Sequence, residues 1–350
     1  MKKELLIASA LVSTLGAASV ANAVTASTSG SHHTGIRGVE ADAGTDTMSH
    51  VVASSFSVSL SETTDGGVGI ASSFMLANEG TTGTQSAGLT LTFTDGSKLD
   101  VMNAGNAAKT HDVSVPGGAG EASITVTTAN NAQTGLDFFG AGTAIGVEWH
   151  SAADFMADGL KIGASVSVDD GAAADASAAV ESSWGLGATY VTSAGDTAVT
   201  IGAGYSESDW KDTDTAAPTG DSGFHVGFSA VTGNLTVAAG YANGDKVIDN
   251  ATSDEREIVD NSVTKVGVKY VSGDVTICVG MTSGAGKDSL TLGTAGTKED
   301  AVDTTDAGIS YAVASGVTAN LGWKNVDSTE NGDSETSGGT SWYIGANMAF

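Results

Sequence analysis

Proline is almost missing from this chain of 350 residues, which contains only Pro116 and Pro218. Because proline removes a backbone hydrogen-bond donor, it is kept out of sheet interiors, and its scarcity favours long continuous strands. Glycine, by contrast, accounts for 48 residues. No apolar run approaches the roughly 20 residues that a membrane-spanning helix needs. These features argue against a helical membrane protein and predict an all-β chain.

Charged residues and cysteine are also scarce. Charged residues make up 16% of the chain, against about 25% in typical soluble domains. The single cysteine, Cys278, excludes an intramolecular disulfide. Acidic residues number 41 against 14 basic ones, so that the formal net charge is −27. Since neutralising phosphates requires Lys and Arg, we expect no nucleic-acid partner, and an anion-specific pore is disfavoured.

Residues 1–23 have the layout of a cleaved export signal. Two lysines form its positive end, residues 5–15 form a short apolar core, and Ala21-Asn22-Ala23 forms a small-x-small cleavage site. Cleavage after this site predicts an exported mature chain of residues 24–350.

From Phe56 onward, short glycine-containing turns alternate with long polar loops. Asp-Gly and Gly-Asn pairs favour tight hairpins, because Gly accepts the positive φ that these turns require. We predict seven turns, at residues 64–67, 95–97, 157–159, 193–196, 232–234, 272–274 and 315–316. We predict eight loops, at residues 40–47, 77–87, 103–142, 169–181, 207–221, 243–262, 284–305 and 326–339. If both termini lie on the turn side, these connections require 16 strands, and their asymmetry is typical of outer-membrane barrels.

One face of each predicted strand is apolar, as the alternation of residues 160–168 illustrates. In a soluble sandwich this face would point into a packed core, whereas in a lipid-embedded barrel it points outward. Alternation alone does not separate the two. The opposite face is rich in Gly, Ser and Thr, and aromatic residues recur near strand ends, where interfacial girdles lie. We therefore predict a 16-stranded antiparallel transmembrane β-barrel.

The chain stops inside its last strand, on one apolar face formed by Trp342, Ile344, Ala346, Met348 and Phe350. This ending resembles the assembly signal of exported outer-membrane barrels, which the barrel-assembly machinery reads. Together with the signal segment and the hairpins, the layout resembles the Gram-negative general-diffusion porins. The resemblance implies a homotrimer in the outer membrane, in contact with lipid and lipopolysaccharide. It also implies a passive channel for small hydrophilic solutes that needs no cofactor.

The longest predicted loop, residues 103–142, is the third. In the porin family the third loop folds into the pore and narrows it, with acidic residues facing a basic wall. The resemblance therefore points to Asp112, Glu121 and Asp137 as constriction carboxylates. A solvated surface loop is the alternative.

Further charged residues alternate with apolar ones along the predicted strands, so they lie on the opposite face, toward the lumen. This is the favoured orientation, because a charge facing lipid costs roughly 2–4 kcal/mol at the midplane. These candidates are Arg37, Lys98, Asp100, Glu148, Lys161, Lys265, Lys269 and Lys324. The chain departs from the family's arginine-rich wall, since Arg37 and Arg256 are its only arginines. A lumen with few basic side chains beneath acidic loops predicts a mild preference for cations.

Neither a catalytic site nor a metal site is predicted. Asp209, Asp212 and Asp214 could bind Ca²⁺ only weakly, because the glycine and the final glutamate of a calcium-hand loop are missing. No Ser-His-Asp order and no pair of carboxylates in an apolar pocket points to an enzyme. Besides the passive channel, two interpretations stay open: a substrate-selective porin, and an exported β-rich surface protein without a channel.

Overall fold

The computed structural model describes residues 24–42, 45–78, 81–82, 88–102, 105–118, 122, 135–136, 145–168, 180–210, 220–250, 255–288, 299–329 and 336–350. The predicted signal, residues 1–23, and the predicted loop carboxylates Glu121, Asp137, Asp212 and Asp214 lie outside this part of the chain. In the described residues, no helix is long and apolar enough to cross a membrane.

The described residues form strands almost throughout. In chain order these are β1 (Thr25–Ala41), β2 (Thr47–Thr63), β3 (Gly69–Asn78), β4 (Thr81–Thr82 and Leu89–Thr92), β5 (Lys98–Val101), β6 (Ile145–His150), β7 (Leu160–Val168), β8 (Val180–Ala194), β9 (Thr197–Trp210), β10 (Gly220–Thr232), β11 (Leu235–Asn250), β12 (Glu255–Ser272), β13 (Val275–Asp288), β14 (Glu299–Ala314), β15 (Val317–Thr329) and β16 (Thr336–Ala349). One short helix, α1 (Ala107–Thr110), lies between β5 and β6.

The strands close into one barrel. Each strand pairs antiparallel with the next, and β1 pairs with β16 from Ser31↔Ala349 to Ala41↔Gly339. The two pieces of β4 both pair with β3 on the same side and therefore count as one strand. The predicted number of 16 strands is confirmed. In the described residues every strand has a neighbour on both sides, and such closure is the condition for placing strands in lipid.

All seven predicted turns join consecutive strands, and each contains a glycine at positive φ. At Gly195 and Gly233 an added Cβ would meet nothing within 4 Å, so that only the backbone conformation, with φ of 62° and 55°, requires glycine there. The remaining turn glycines at positive φ are Gly67, Gly96, Gly159, Gly273 and Gly316.

Two of the predicted loops are too long. The prediction placed residues 243–262 and 284–305 in loops, but β11, β12, β13 and β14 continue through most of these residues. Asp245 pairs with Asp260 and Lys246 with Val259 in the ladder between β11 and β12. The prediction was wrong because it used apolar alternation as the mark of a strand. A ladder of backbone hydrogen bonds continues through polar residues wherever the partner strand is already in place.

The large apolar side chains of the strands lie on the outer surface of the barrel. On β10, Phe224, Val226 and Phe228 are 44%, 45% and 43% exposed, whereas Asp221 and His225 on the alternate positions are 5% and 2% exposed. A soluble sandwich would bury the first set and expose the second. The reversal places the apolar face toward lipid and the polar face toward the interior.

The last residue completes the closure of the barrel. The backbone of Phe350 exchanges two hydrogen bonds of 3.0 Å with Gly30 on β1. Its ring packs on Phe56 of β2, with 6.4 Å between ring centroids. Gly30 and Gly38 leave room for the rings of Phe350 and Trp342, because a Cβ at either glycine would lie 2.4 Å from a ring atom. The predicted terminal motif thus forms the seam between β16 and β1.

Candidate functional site

A segment of the third connection lies inside the barrel, against its wall. This segment, which we call the inner strap, comprises residues 105–118. It contains α1 and then continues without regular secondary structure to Gly118. The side chain of Asn106 caps α1 by accepting a hydrogen bond of 3.0 Å from the Ala108 N–H. Ala107 and Ala108 have no exposed surface, because their small side chains face the wall.

Glycines in the wall allow the inner strap to approach it closely. At Gly187 an added Cβ would lie 2.3 Å from the carbonyl oxygen of Ala107, and at Gly267 it would lie 2.0 Å from that of Pro116. Real Cβ contacts are essentially never this short. Several of these glycines are cross-strand neighbours, for example Gly163↔Gly187 and Gly187↔Gly204. We call the set the inner glycine track; its members are Gly163, Gly185, Gly187, Gly202, Gly204, Gly227, Gly267 and Gly280.

Polar side chains of the wall hold the strap backbone and its side chains. The Ser165 hydroxyl accepts from the Ala107 N–H at 2.9 Å, and the Ser206 hydroxyl accepts from the Asn106 amide at 2.6 Å. His225 Nε2 lies 2.6 Å from the carbonyl oxygen of Ala108. At the far end of the strap, the Gly118 N–H donates to the carboxylate of Asp306 on β14. With the tie of Gly105 to Glu148 on β6, the strap crosses the inner wall from β6 to β14.

The first turn of the strap is tied to Glu148 on β6. One carboxylate oxygen accepts a hydrogen bond of 2.8 Å from the Gly105 N–H, and the other accepts one of 2.6 Å from the Thr110 hydroxyl. Glu148 is only 3% exposed. Beside it, His150 Nε2 lies 2.8 Å from Asp100 Oδ2 and 3.9 Å from Glu148 Oε1.

His111 is a buried imidazole of the strap. Its Nδ1 lies 2.7 Å from the Thr189 hydroxyl, and the residue is 7% exposed. Burial lowers the pKa of His111 below the ordinary value of 6.5, and repulsion from His150 lowers it further. The carboxylate of Glu148 acts in the opposite direction, and His225 and Lys161 add smaller repulsions. The neutral imidazole is therefore favoured in the folded barrel.

The structure brings some of the sequence-predicted residues together. Asp100 and Glu148 are register partners on β5 and β6. Asp112 and Lys265 line one open cavity between the strap and the wall, and Asp112 Oδ1 lies 3.6 Å from His225 Nδ1. Lys324 is the register partner of Asp306. Lys98 lies beside Asp100 and Glu148 as the register partner of His150. The remaining candidates occupy separate wall positions: Arg37 on β1, Lys161 on β7 and Lys269 on β12.

Sequence reasoning missed several residues that hold the strap. His225 stands between Phe224 and Val226 and could have been assigned inward by parity. Asp306 directly follows the predicted loop of residues 284–305, so the alternation before it gives no sign that it faces inward. His111 carried no signal, since nothing in its neighbourhood indicates that it contacts Thr189.

Comparisons with known proteins agree with this architecture. A family model for Gram-negative porins matches residues 8–347. In-vitro folded OmpT of Vibrio cholerae, in its trimer form, is similar over 93% of this chain and 99% of its own, with a TM-score of 0.63 and 15% identity. Salmonella typhi OmpF in complex with daunomycin is similar over 93% and 98%, with a TM-score of 0.63 and 14% identity. A porin refined at 1.8 Å is similar over 93% and 100%, with a TM-score of 0.61 and 18% identity. Among curated protein sequences, none matches this chain.

Proposed function

Because the chain belongs to the Gram-negative porin family and is thus an outer-membrane channel protein, we propose that it forms a passive, water-filled pore for small hydrophilic solutes. The observation that carries this proposal is the inner strap. A segment tied to the inner wall from Glu148 to Asp306 would narrow the lumen and leave a path for small solutes. Solutes would be selected by size and charge, with no catalytic step and no cofactor.

We assign the constriction to the strap and the wall charges around it. Asp112 stands on the strap, about one-third exposed, and Lys265 lines the same cavity. Five more basic residues lie on the polar, inward face of their strands, which is the less costly orientation for a charge in a membrane barrel. They are Arg37, Lys98, Lys161, Lys269 and Lys324. Glu121 and Asp137 belong to the same third connection and complete the proposed acidic side.

The proposed selectivity is a mild preference for cations. The chain carries 41 acidic and 14 basic residues, and carboxylates near a pore mouth raise the local concentration of cations. The inner lysines oppose this effect within the constriction. We therefore expect a permeability ratio of K⁺ to Cl⁻ above one that declines as salt screens the charges.

Two measurements test the channel. Liposomes containing the refolded protein should swell at rates that fall smoothly with sugar size. Saturable uptake of one sugar would instead indicate a substrate-selective porin, and no swelling at all would indicate a surface protein without a channel. In planar bilayers with a KCl gradient, the reversal potential should have the sign of cation preference. The opposite sign would refute the proposed selectivity.

We also propose a homotrimer that forms through the outer face of β1 and β2. His32 contacts the Ser54 hydroxyl at 2.8 Å, and His50 contacts the Thr34 hydroxyl at 3.1 Å. These four side chains lie on the same outward face of their strands as Ile36 and Phe56. A polar patch on the lipid belt is unfavourable unless protein covers it, and the OmpT structure is described as a trimer.

The test of the trimer uses two bulky substitutions on the outer face. Thr34→Tyr would obstruct close approach of another subunit, whereas Ala239→Tyr lies on β11, away from the patch. Native mass measurement in detergent should give trimers for the wild type and for Ala239→Tyr, and a shift toward monomers for Thr34→Tyr. Monomers in all three samples would contradict the proposal.

We propose four further partners. The exposed apolar belt suits lipid, and the loop side of the barrel suits lipopolysaccharide. The barrel-assembly machinery would read the terminal strand that ends in Phe350. Asp209 and its loop neighbours would bind Ca²⁺ weakly, which a Ca²⁺ titration with and without Asp209→Asn would test.

A further inference from the structure

Three side chains with metal-binding donors meet at the root of the inner strap. They are Asp100 on β5 and Glu148 and His150 on β6, and one donor atom from each lies within 4.8 Å of the others. His150 Nε2 is 2.8 Å from Asp100 Oδ2 and 3.9 Å from Glu148 Oε1. With bonds of about 2.0–2.1 Å, a tetrahedral zinc site needs donors roughly 3.3 Å apart. The two observed separations lie on either side of that value.

A cation would stabilise the neighbouring carboxylates of Asp100 and Glu148. Asp100 and Glu148 are direct register partners on neighbouring strands, where like charges are destabilising. The side chain of Glu148 is 4% exposed and that of Asp100 is 18% exposed, so that water screens them poorly. Lys98 stands beside the pair as the register partner of His150, but it is exposed and only one positive charge.

The carboxylates are already oriented by neighbouring donors. The Thr90 hydroxyl donates to Asp100 Oδ1, which leaves Oδ2 facing His150. The Thr110 hydroxyl and the Gly105 N–H hold the two oxygens of Glu148. Each carboxylate oxygen has two lone pairs, so Glu148 Oε1 keeps one for a metal. Outer donors that fix the ligating carboxylates are a regular feature of metal sites.

A second, independent observation comes from His111. Its Nε2 is buried and has no hydrogen-bond partner among the described residues, while Nδ1 contacts the Thr189 hydroxyl. A proton on Nδ1, donated to Thr189, leaves a lone pair on Nε2, which is the form of imidazole that binds metals. This Nε2 lies 2.8 Å from the position of a Cβ on Gly163, the register partner of His150. It therefore points at the wall beside the cluster.

We propose that Asp100, Glu148 and His150 bind one divalent transition-metal ion of the Zn²⁺ class. His111 lies outside the group of donors within 4.8 Å, and its side chain would turn toward the ion to supply a second imidazole. The metal would cancel the paired negative charges and join β5, β6 and the inner strap at one point. Imidazole donors favour Zn²⁺, Ni²⁺ and Cu²⁺ over Mg²⁺ and Ca²⁺, which prefer oxygen ligands. The site does not depend on the proposed channel function, because binding can be measured on the detergent-solubilised barrel without any transport.

The test uses the untagged full-length barrel in detergent, with Zn²⁺ and Cu²⁺ as probes. Calorimetry should give one Zn²⁺ per chain, unaffected by millimolar Mg²⁺ or Ca²⁺. Nitrogen hyperfine structure in the electron paramagnetic resonance spectrum of bound Cu²⁺ should show two imidazole ligands, and His111→Gln should reduce this to one. His150→Gln and Asp100→Asn should each weaken Zn²⁺ binding by about 10–100-fold or more.

His33→Gln, on β1 and outside the cluster, is the matched histidine control and should bind like the wild type. The temperature at which the barrel unfolds on gels shows that each variant is folded. The proposal is overturned if the folded wild type binds no Zn²⁺, if His150→Gln and His33→Gln bind equally, or if Ca²⁺ competes on equal terms. A single imidazole in the wild-type spectrum would overturn the role of His111.

Discussion

His111 shows how one side chain of the strap responds to its surroundings. It lies in a loop segment, yet it is 7% exposed and contacts both Thr189 and the inner glycine track. Burial lowers its pKa, with repulsion from His150 as the next cause. A histidine that stays neutral when folded, but takes up a proton when unfolded, makes the folded state sensitive to acid.

The stability of the metal-free barrel should therefore decrease as the pH falls below 6.5, the ordinary pKa of His111. Above that pH neither state of the protein binds the proton, and the stabilisation is complete. Between the ordinary and the lowered pKa, only the unfolded chain binds it, so that unfolding is favoured. Urea unfolding midpoints between pH 8 and pH 5, with a chelator present, measure the effect.

His111→Gln should flatten this pH dependence, while His33→Gln should leave it unchanged. Equal slopes for the wild type and His111→Gln would show that another group is responsible.

At the scale of elements, glycine serves the turns and the inner wall for different physical reasons. In turns such as the one at Gly195, the backbone needs a positive φ and space is plentiful. In the inner glycine track the backbone is ordinary strand, and the missing Cβ makes room for the strap. Gly187 belongs to the second class, because a Cβ there would lie 2.3 Å from the carbonyl oxygen of Ala107 and 2.6 Å from the His111 ring.

Gly187→Ala should displace the inner strap. Because a backbone atom blocks the new methyl group, the strap must move, and overpacking of this kind typically costs about 1–3 kcal/mol. Single-channel recordings should show a changed, noisier conductance. Gly195→Ala is the matched control: its strained φ costs about 1–2 kcal/mol, but it lies away from the strap and should leave the conductance unchanged. Identical recordings from the two variants would contradict the assigned position of the strap.

At the scale of the whole molecule, the barrel is held together by the seam between its first and last strands. Phe350 contributes both backbone hydrogen bonds to Gly30 and a ring contact with Phe56. The terminal residue therefore joins elements that are about 300 residues apart in the chain.

Phe350→Ala should reduce the amount of folded barrel in the outer membrane severalfold, because it removes the aromatic end of the predicted assembly signal and its packing at the seam. The heat-modifiable band in membrane fractions measures this yield. Phe228→Ala, which removes an exposed ring from the outer face of β10, is the control and should have a much smaller effect. Equal yields for the two variants would argue against a special role for the terminal residue.

Much of the architecture could be predicted because it follows from short-range patterns. Strand alternation, turn glycines such as Gly96 and Gly233, and the terminal motif each span only a few residues, and together they determined the strand number and the lipid-facing side. Parity also placed Asp100 and Glu148 on one face. The ends of β11 to β14 could not be predicted, because a ladder continues through polar residues when the partner strand supports it.

Sequence alone thus determined a closed barrel of 16 strands with its apolar face outward. Only the tertiary structure decided where the inner strap lies and which side chains gather at its root. The reason is sequence separation: Gly118 contacts Asp306, 188 residues away, and Asn106 contacts Ser206, 100 residues away. Contacts of this kind depend on the closed curvature of the wall, which brings β6, β9 and β14 around a common lumen and leaves no local pattern in the chain.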